Sequence, residues 1–458
     1  MPSPPKQAAE ALAEFVSLTR FDRLPFGVIH EVKRRVLDVV GIALSASRTD
    51  TGSIIQNYVR AQKRDGQAVL WGAGDTVSPT MAALANGTMI FHMELDDVHL
   101  TSHTHPGVTT IIPSLAVADD LGVSGRDVIT AVAVGYDVQA RIGNAVSPSI
   151  YLDRPFLPAA TLGTFGAAGA VAKLLGLGSK ETLSALGTAA FLTPLALFEN
   201  YAKGAATKEL SMGWAGMSGI MAIELARQGF IGAPSWLEGP LGFAGAAADH
   251  YDLQHLVRGL GKEYEILRTG IKPYACCRQH HTAIDAALEI RGRHSPPPQE
   301  IERVVHRTFK VASRGNNQEP ATIAGAKYSA PFSISVALIE GKAWREQYTA
   351  EKMNDETVRA LARKVEVVAD PELEALYDLK WPSIVEVFMR DGKVYSARRD
   401  LPKGEPEYPV SDEELKEKFL TLACDAISTD RAEALYQMIW NLEELPKTSE
   451  LTALLRSE

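Results

Sequence analysis

The sequence predicts a mostly α protein in two parts: a large all-helical domain built from both chain ends and a smaller α+β domain between them. Three observations carry this expectation. Apolar residues recur at three- and four-residue spacing from Gln7 to about Leu260, the period of an amphipathic helix. After Leu267 the spacing changes to the alternation expected of strands. With 458 residues the chain is also too long for one ordinary core, since single cores stop growing near about 250–300 residues. The boundaries fall at residues 1–268 and 402–458 for the helical part and 269–401 for the α+β part.

The elements follow in order. Ala8–Leu18, Val28–Leu44, Ala82–Met93, Ile111–Asp120, Asp127–Ile142, Leu162–Leu175, Lys180–Phe191 and Met212–Gln228 each carry helical periodicity. Several are dense in Ala and Gly, Gly163–Ala172 most of all, so tightly packed helices are expected. Gly122, Gly176, Gly178, Gly229, Pro234 and Gly239 punctuate them. In the α+β stretch, Ile301–Val311 reads as a strand, and Ser383–Met389 with Lys393–Ala397 as a hairpin turning at Asp391-Gly392. Helices are expected around Thr282–Arg293, Ser333–Gly341 and Asp355–Ala362. Pro402-Lys403-Gly404 then breaks the chain, and Ser411-x-x-Glu414 is a capping box opening the last helices, which most simply rejoin the first domain.

Bulk properties narrow the function. A net charge of -9 argues against a nucleic-acid or anionic-membrane surface, though a few pocket cations can still hold an anionic small substrate. No run approaches the roughly 20 apolar residues that span a bilayer. Met1–Lys6 is rich in Pro and Ser and lacks the apolar core of a signal peptide. Cys276, Cys277 and Cys424 form a sparse, odd set suited to a reducing compartment. The expectation is a cytoplasmic enzyme.

Six of the 11 histidines fall in two windows. The first, His92–Gly107, holds His92, His99, His103 and His105 with Glu94, Asp96 and Asp97 between two apolar helices. The second, Lys272–Asp285, holds Lys272, Cys276, Cys277, Arg278, His280 and His281 at the change of texture, where an interdomain cleft is expected. Taken one at a time, such residues cap helices or face solvent; their density points to a site. Metal binding is the rival: His103-x-His105 supplies two ligands and Asp97, Cys277 or His281 could complete a tetrahedron. The adjacent cysteines lack the zinc-knuckle gap and no His-Glu-x-x-His occurs, so no metal is expected. Nucleotide loops and a Gly-x-Ser-x-Gly elbow are absent as well.

Over nearly its whole length the chain resembles the MmgE/PrpD family, whose members dehydrate, decarboxylate or epimerise small carboxylic acids. The supporting stretches are Leu37–Leu44, Ala85-Asn-Gly87, Leu95-Asp-Asp97 with His105-Pro-Gly107, Gly135–Val138, Thr161–Ala168, Leu237-Glu-Gly239, Lys272–Cys277, Ala326–Ser329 and Pro402-Lys-Gly404. The resemblance implies the helical domain from both chain ends, an α+β lid, a homodimer and a site without cofactor between the domains. It implies His105, Lys272 and Asp97 as catalytic residues, with Lys208, Tyr328 and Leu157 around the substrate; the two windows themselves add Arg278 and His103 as substrate-binding candidates. Physically, removing a proton beside a carboxylate builds negative charge on its oxygens, which lysines and arginine stabilise while a titratable group takes the proton. The leading expectation is a dehydratase-type lyase of a di- or tricarboxylic acid. The alternatives are an epimerase, isomerase or decarboxylase of such an acid, or a family member that only binds carboxylates. Two departures stand out. The family's Phe-His-Pro-Thr reads Phe156-Leu157-Pro158-Ala159 here, and a common Tyr is Phe332. If both positions face the cleft, one wall loses two proton donors and turns apolar.

Overall fold

The computed structural model describes residues 7–62, 65–377 and 379–457; the Pro- and Ser-rich start at Met1–Lys6 lies outside the described residues. Helix α1 (Ala8–Leu18) buries Leu12, Phe15 and Val16, and α2 (Phe26–Ala46) is enclosed on every side from Val32 onward. After α3 (Asp50–Ala61) come α4 (Pro79–Met93), α5 (Pro106–Leu121) and α6 (Gly125–Val146). The helices Pro158–Leu174, Ser179–Leu192 and Thr207–Arg227 complete this body. α4, α5 and Pro158–Leu174 start three to five residues before the apolar periodicity does, because each opens on a proline at its first turn, where no N–H is missed.

Small residues set the helix spacing. A Cβ on Gly87 of α4 would lie 2.8 Å from the Cα of Gly213 in the helix Thr207–Arg227, so the two backbones touch. This close crossing brings Lys208, at the start of one helix, to Glu94, at the end of the other. The final helices Asp412–Ala423 and Thr429–Trp440 return to α2, where the ammonium of Lys418 meets Asp38 at 2.6 Å. No helix among the described residues is long and apolar enough to cross a membrane.

The α+β stretch forms a four-stranded sheet in the order Val365–Ala369, Ile301–Thr308, Ser383–Met389, Val394–Arg399. The first pair is parallel and the others antiparallel, with Val304 opposite both Val365 and Val387. Ser383–Met389 alternates buried and half-buried residues, and the helix His281–His294 packs against this sheet. The strand Val365–Ala369 escapes the periodicity reading because five residues give too short an alternation. Inside this unit His306 donates to or accepts from Ser383 at 3.0 Å, and burial pushes its pKa down to about 3.

That neutral histidine links stability to pH. The folded pKa lies below the ordinary value of 6.5, so the unfolded chain takes up a proton first as pH falls. The contribution is therefore complete above about pH 6.5 and lost progressively below it. Replacing His306 with Asn should shrink the stability gap between wild type and variant by about 2 kcal/mol between about pH 7.5 and pH 5. Urea unfolding at both pH values reads this directly; a gap that stays constant would contradict a neutral buried His306.

Candidate active site

The two histidine-bearing windows meet because the backbone stitches them together. α4 ends at Glu94, whose φ of 55° is left-handed, and the loop runs to His105, which caps α5. Midway, Val98–His99 pairs antiparallel with Thr269–Gly270, laying the first window beside the second. Below them Lys418 donates to the carbonyls of Leu95 at 2.8 Å and Lys272 at 2.9 Å while facing Asp38. Two hydrogen bonds go to these carbonyls and the charge is paired with Asp38, so one cation from the helix Asp412–Ala423 fixes both windows.

On this base stands a chain of alternating charges. Lys272 is wholly buried, with Glu94 at 2.9 Å and Asp96 at 3.1 Å. The other oxygen of Glu94 pairs with Lys208, whose ammonium lies 4.2 Å from the ring centres of both Phe91 and Tyr201. The other oxygen of Asp96 meets Nδ1 of His105 at 2.7 Å. Burial opposes the charge on Asp96, yet His105 and Lys272 hold its carboxyl below the usual carboxylate range. Burial, reinforced by Lys272, pushes the Lys208 pKa well below that of a free lysine. Asp96 thus contacts the His105 ring on its Nδ1 side.

Phe91, Glu94, His105, Lys208 and Lys272 line a cavity with His103, Tyr151, Leu157, Cys277, Arg278, Gln279 and Trp381. His103 (φ 56°) stacks between Tyr151 and Trp381 and shares a 2.6 Å hydrogen bond with Tyr377. Burial pushes its pKa down to about 4, so it is neutral near pH 7. Arg278 reaches the cavity, but its guanidinium is engaged by Glu405, the carbonyl of Lys403 and Nδ1 of His281.

Other expected residues lie elsewhere. Asp97 is not on the cavity: it accepts from the Gly107 N–H at 2.9 Å and the Tyr136 hydroxyl at 2.6 Å, with Arg35 at 3.8 Å. Burial pushes its pKa up to about 6, against the pull of Arg35. Its place is beneath the loop, where a Cβ on Gly107 would come within 2.7 Å of it. Tyr328 stands one layer back, its ring 4.3 Å from Tyr201. Phe332 packs on Tyr348 and borders a different cavity, so of the two departures only Leu157 shapes this wall.

Sequence reasoning passed over Glu94 and Asp96 as ligands of the lysines, and gave no role to Gln279, Trp381 or Lys418. The available signal was the density of carboxylates, Glu94, Asp96 and Asp97, in the same window as the histidines. The four histidines of the first window disperse: His92 to Glu209 at 2.9 Å, His99 to Glu265 at 3.1 Å, His103 to Tyr377 and His105 to Asp96. Among the described residues no three His, Cys, Asp or Glu side chains converge as a metal set. Cys276 and Cys277 are free thiols, and burial pushes Cys276 up to about 12.

A mostly α body and a small mixed sheet thus carry a buried cluster of lysines, carboxylates and a histidine. Residues 10–256 match the MmgE/PrpD N-terminal domain and residues 274–444 the MmgE/PrpD C-terminal domain. The chain belongs to the MmgE/PrpD family. It is similar to the cis-aconitate decarboxylase of Homo sapiens, with 29% identity covering 98% of this chain and 95% of the relative. The cis-aconitate decarboxylase of Aspergillus terreus shares 25% identity over 95% of this chain and 93% of its own. The cis-aconitate decarboxylase-like protein oryM of Aspergillus oryzae also shares 25%, over 100% and 98%.

The Lys418 clamp has a measurable worth. Replacing Lys418 with Met leaves Asp38 buried without its cation, and breaking a buried pair this way costs about 3–5 kcal/mol. Urea unfolding should show that loss, and the double variant with Asp38→Leu should recover much of it. A loss below about 1 kcal/mol in the single variant would rule out the clamp.

Proposed function

We propose that the chain is a lyase of the dehydratase type that acts, without a cofactor, next to a carboxylate of a small di- or tricarboxylic acid. The observation that carries this reading is the continuous series His105–Asp96–Lys272–Glu94–Lys208, of which all but Asp96 line one cavity. A substrate carboxylate lying against Lys208 and Lys272 has its developing charge stabilised in a site that water barely enters. His105, oriented by Asp96, takes or returns the proton at the neighbouring carbon through Nε2. Lys208, with its depressed pKa, is the second proton-transfer group that loss of a hydroxyl requires. Arg278 positions the loop through Glu405 and leaves the carboxylate to the two lysines.

Decarboxylation is the second reading, favoured by the names of the relatives; it needs one proton donor, which His105 alone supplies. We further propose that residues 269–401 close over the site as a lid, since Lys272, Gln279, Tyr377 and Trp381 come from this stretch. A cytoplasmic homodimer accords with the sparse cysteines and with a face where Phe191, Leu195 and Leu241 are exposed around one apolar groove.

Turnover of a panel of small di- and tricarboxylic acids, read by product mass, separates loss of water from loss of carbon dioxide and from no change of mass. On the acid turned over best, His105→Gln should lower kcat/KM by about 10²–10⁴ with the unfolding midpoint nearly unchanged. Normal turnover in that folded variant removes His105 from the reaction. If no acid is turned over and none exchanges its α-proton with deuterium oxide, the chain binds carboxylates without transforming them.

A further inference from the structure

Lys208 belongs to two cavities. With Phe91, Glu94 and Tyr201 it lines the cavity of the charged series, and the same four side chains form one wall of a smaller, adjoining cavity. His92, Glu209 and Lys327 stand on the other side of that second space. It measures about 20 Å³, too small for a di- or tricarboxylic acid but enough for one water molecule, which needs about 10–15 Å³. The lysines and carboxylates around it give such a water its partners. One side leads to solvent: the His92 side chain is 23% exposed, against 8% for Glu209 and for Lys208. Nδ1 of His92 lies 2.9 Å from one Glu209 oxygen, and the Thr51 hydroxyl donates to the other at 3.0 Å. A carboxylate has about four lone-pair sites, so Glu209 keeps capacity for a water as well. Burial pulls the pKa of Lys208 and of Lys327 down, and the nearby Glu209 carboxylate pulls against it at both. Lys327 is committed to backbone, donating to the carbonyls of His92 at 2.8 Å and Met93 at 3.4 Å, and so braces this wall.

We infer that His92 and Glu209 form a proton relay that recharges Lys208 from solvent through this second cavity. The inference rests on the dehydratase reading, and the need for it follows from the proton count of that reaction. In each turnover His105 takes a proton from the substrate carbon and Lys208 gives one to the departing hydroxyl, which leaves as water. A carbon–hydrogen and a carbon–oxygen bond break and a carbon–carbon double bond forms. The protein is left with one proton too many on His105 and one too few on Lys208. His105, itself partly exposed, returns its proton to solvent directly. Lys208 lies deeper, under Phe91 and Tyr201, and needs a route of its own. On the relay, His92 takes a proton from solvent on one ring nitrogen and passes one to Glu209 from Nδ1. Glu209 hands it through the single water to Lys208. One proton enters and one is gained, so no other reactant is required.

The test is steady-state kinetics of His92→Ala and Glu209→Gln on the acid that the wild type dehydrates best, with unfolding midpoints measured alongside. Recharging follows product release, so its loss slows kcat and spares kcat/KM, which reports the steps from free enzyme and substrate to the transition state. Each variant should lose about tenfold or more in kcat while kcat/KM stays within about twofold of wild type. Imidazole added to His92→Ala should restore kcat in a saturable manner, since a small base can deliver the proton to Glu209. It should do nothing for Glu209→Gln, which lacks the carboxylate that receives it. Glu209→Gln is isosteric and carries the kinetic comparison alone should His92→Ala unfold. Equal losses in kcat and kcat/KM, with no rescue by imidazole, assign the pair to positioning Lys208 and overturn the relay. An unchanged kcat in the folded variants overturns it too and leaves the dehydratase reading standing. If the wild type transforms no acid, or releases carbon dioxide instead of water, the dehydratase reading falls and the relay with it.

Discussion

The buried charge of Lys272 is the constraint around which the site is organised. An ammonium with no exposure is tolerable only if its partners sit at hydrogen-bond distance, and Glu94 and Asp96 do so from opposite ends of a three-residue stretch. Those partners are held by backbone, and the backbone is held from below. Lys418 grips the Leu95 and Lys272 carbonyls, and Arg35 reaches both Asp97 and the carbonyl of Thr269. Three distant parts of the chain, α2, the Lys272 segment and the C-terminal helix, thus converge under one loop. The return of the chain's C-terminal part to its beginning has a structural consequence here, since the cation that fixes the loop arrives on the helix Asp412–Ala423.

The same accounting limits what the cavity can hold. Lys208 and Lys272 face Glu94 and Asp96, so the cluster is balanced before any ligand binds. An incoming carboxylate must share the ammoniums with Glu94, whose two oxygens are divided between them. Lys208 is the more adaptable of the two: it lies in the first turn of a helix, over two aromatic rings, and burial and Lys272 both push its pKa down. The left-handed backbone at Glu94 and His103 bounds this loop on both sides, and such conformations persist where surrounding contacts over-determine them.

Much of this architecture was legible in the sequence because helices advertise themselves by period. α1 falls on the expected residues, and the hairpin at Asp391-Gly392 and the capping box at Ser411 lie where their local chemistry puts them. The helix Asp50–Ala61, half-exposed and interrupted by Gly52 and Ser53, did not announce itself. The site was legible as a region and only partly as a set of contacts. His105 and Lys272 come together as their windows suggested, and Lys208 joins them as the resemblance implied, but adjacent aspartates are indistinguishable by composition. Whether Asp96 or Asp97 turns inward depends on a loop whose course is set by the ladder with Thr269–Gly270 and by Tyr136, nearly forty residues on. Phe332 shows the same limit: its identity was plain, but its orientation toward Tyr348 is decided by packing between elements that no local pattern reports.

What varies within such a scaffold follows from where its constraints lie. Changing a member of the lysine–carboxylate series exposes a buried opposite charge, so substitution there is penalised by stability as well as by chemistry. The facing wall carries no such penalty. Leu157 occupies the cap position of the helix Pro158–Leu174, a place where an imidazole or an alkyl group can project without disturbing the ladder of backbone hydrogen bonds behind it. Trp381 sits between the turn after Tyr377 and the strand Ser383–Met389, anchored by stacking on His103 rather than by charge. A protein built this way can keep its charged cluster fixed and alter the neutral wall residue by residue. Under the proposed function, proton transfer beside a carboxylate would be held constant while the remainder of the acid is chosen by a surface that costs little to change.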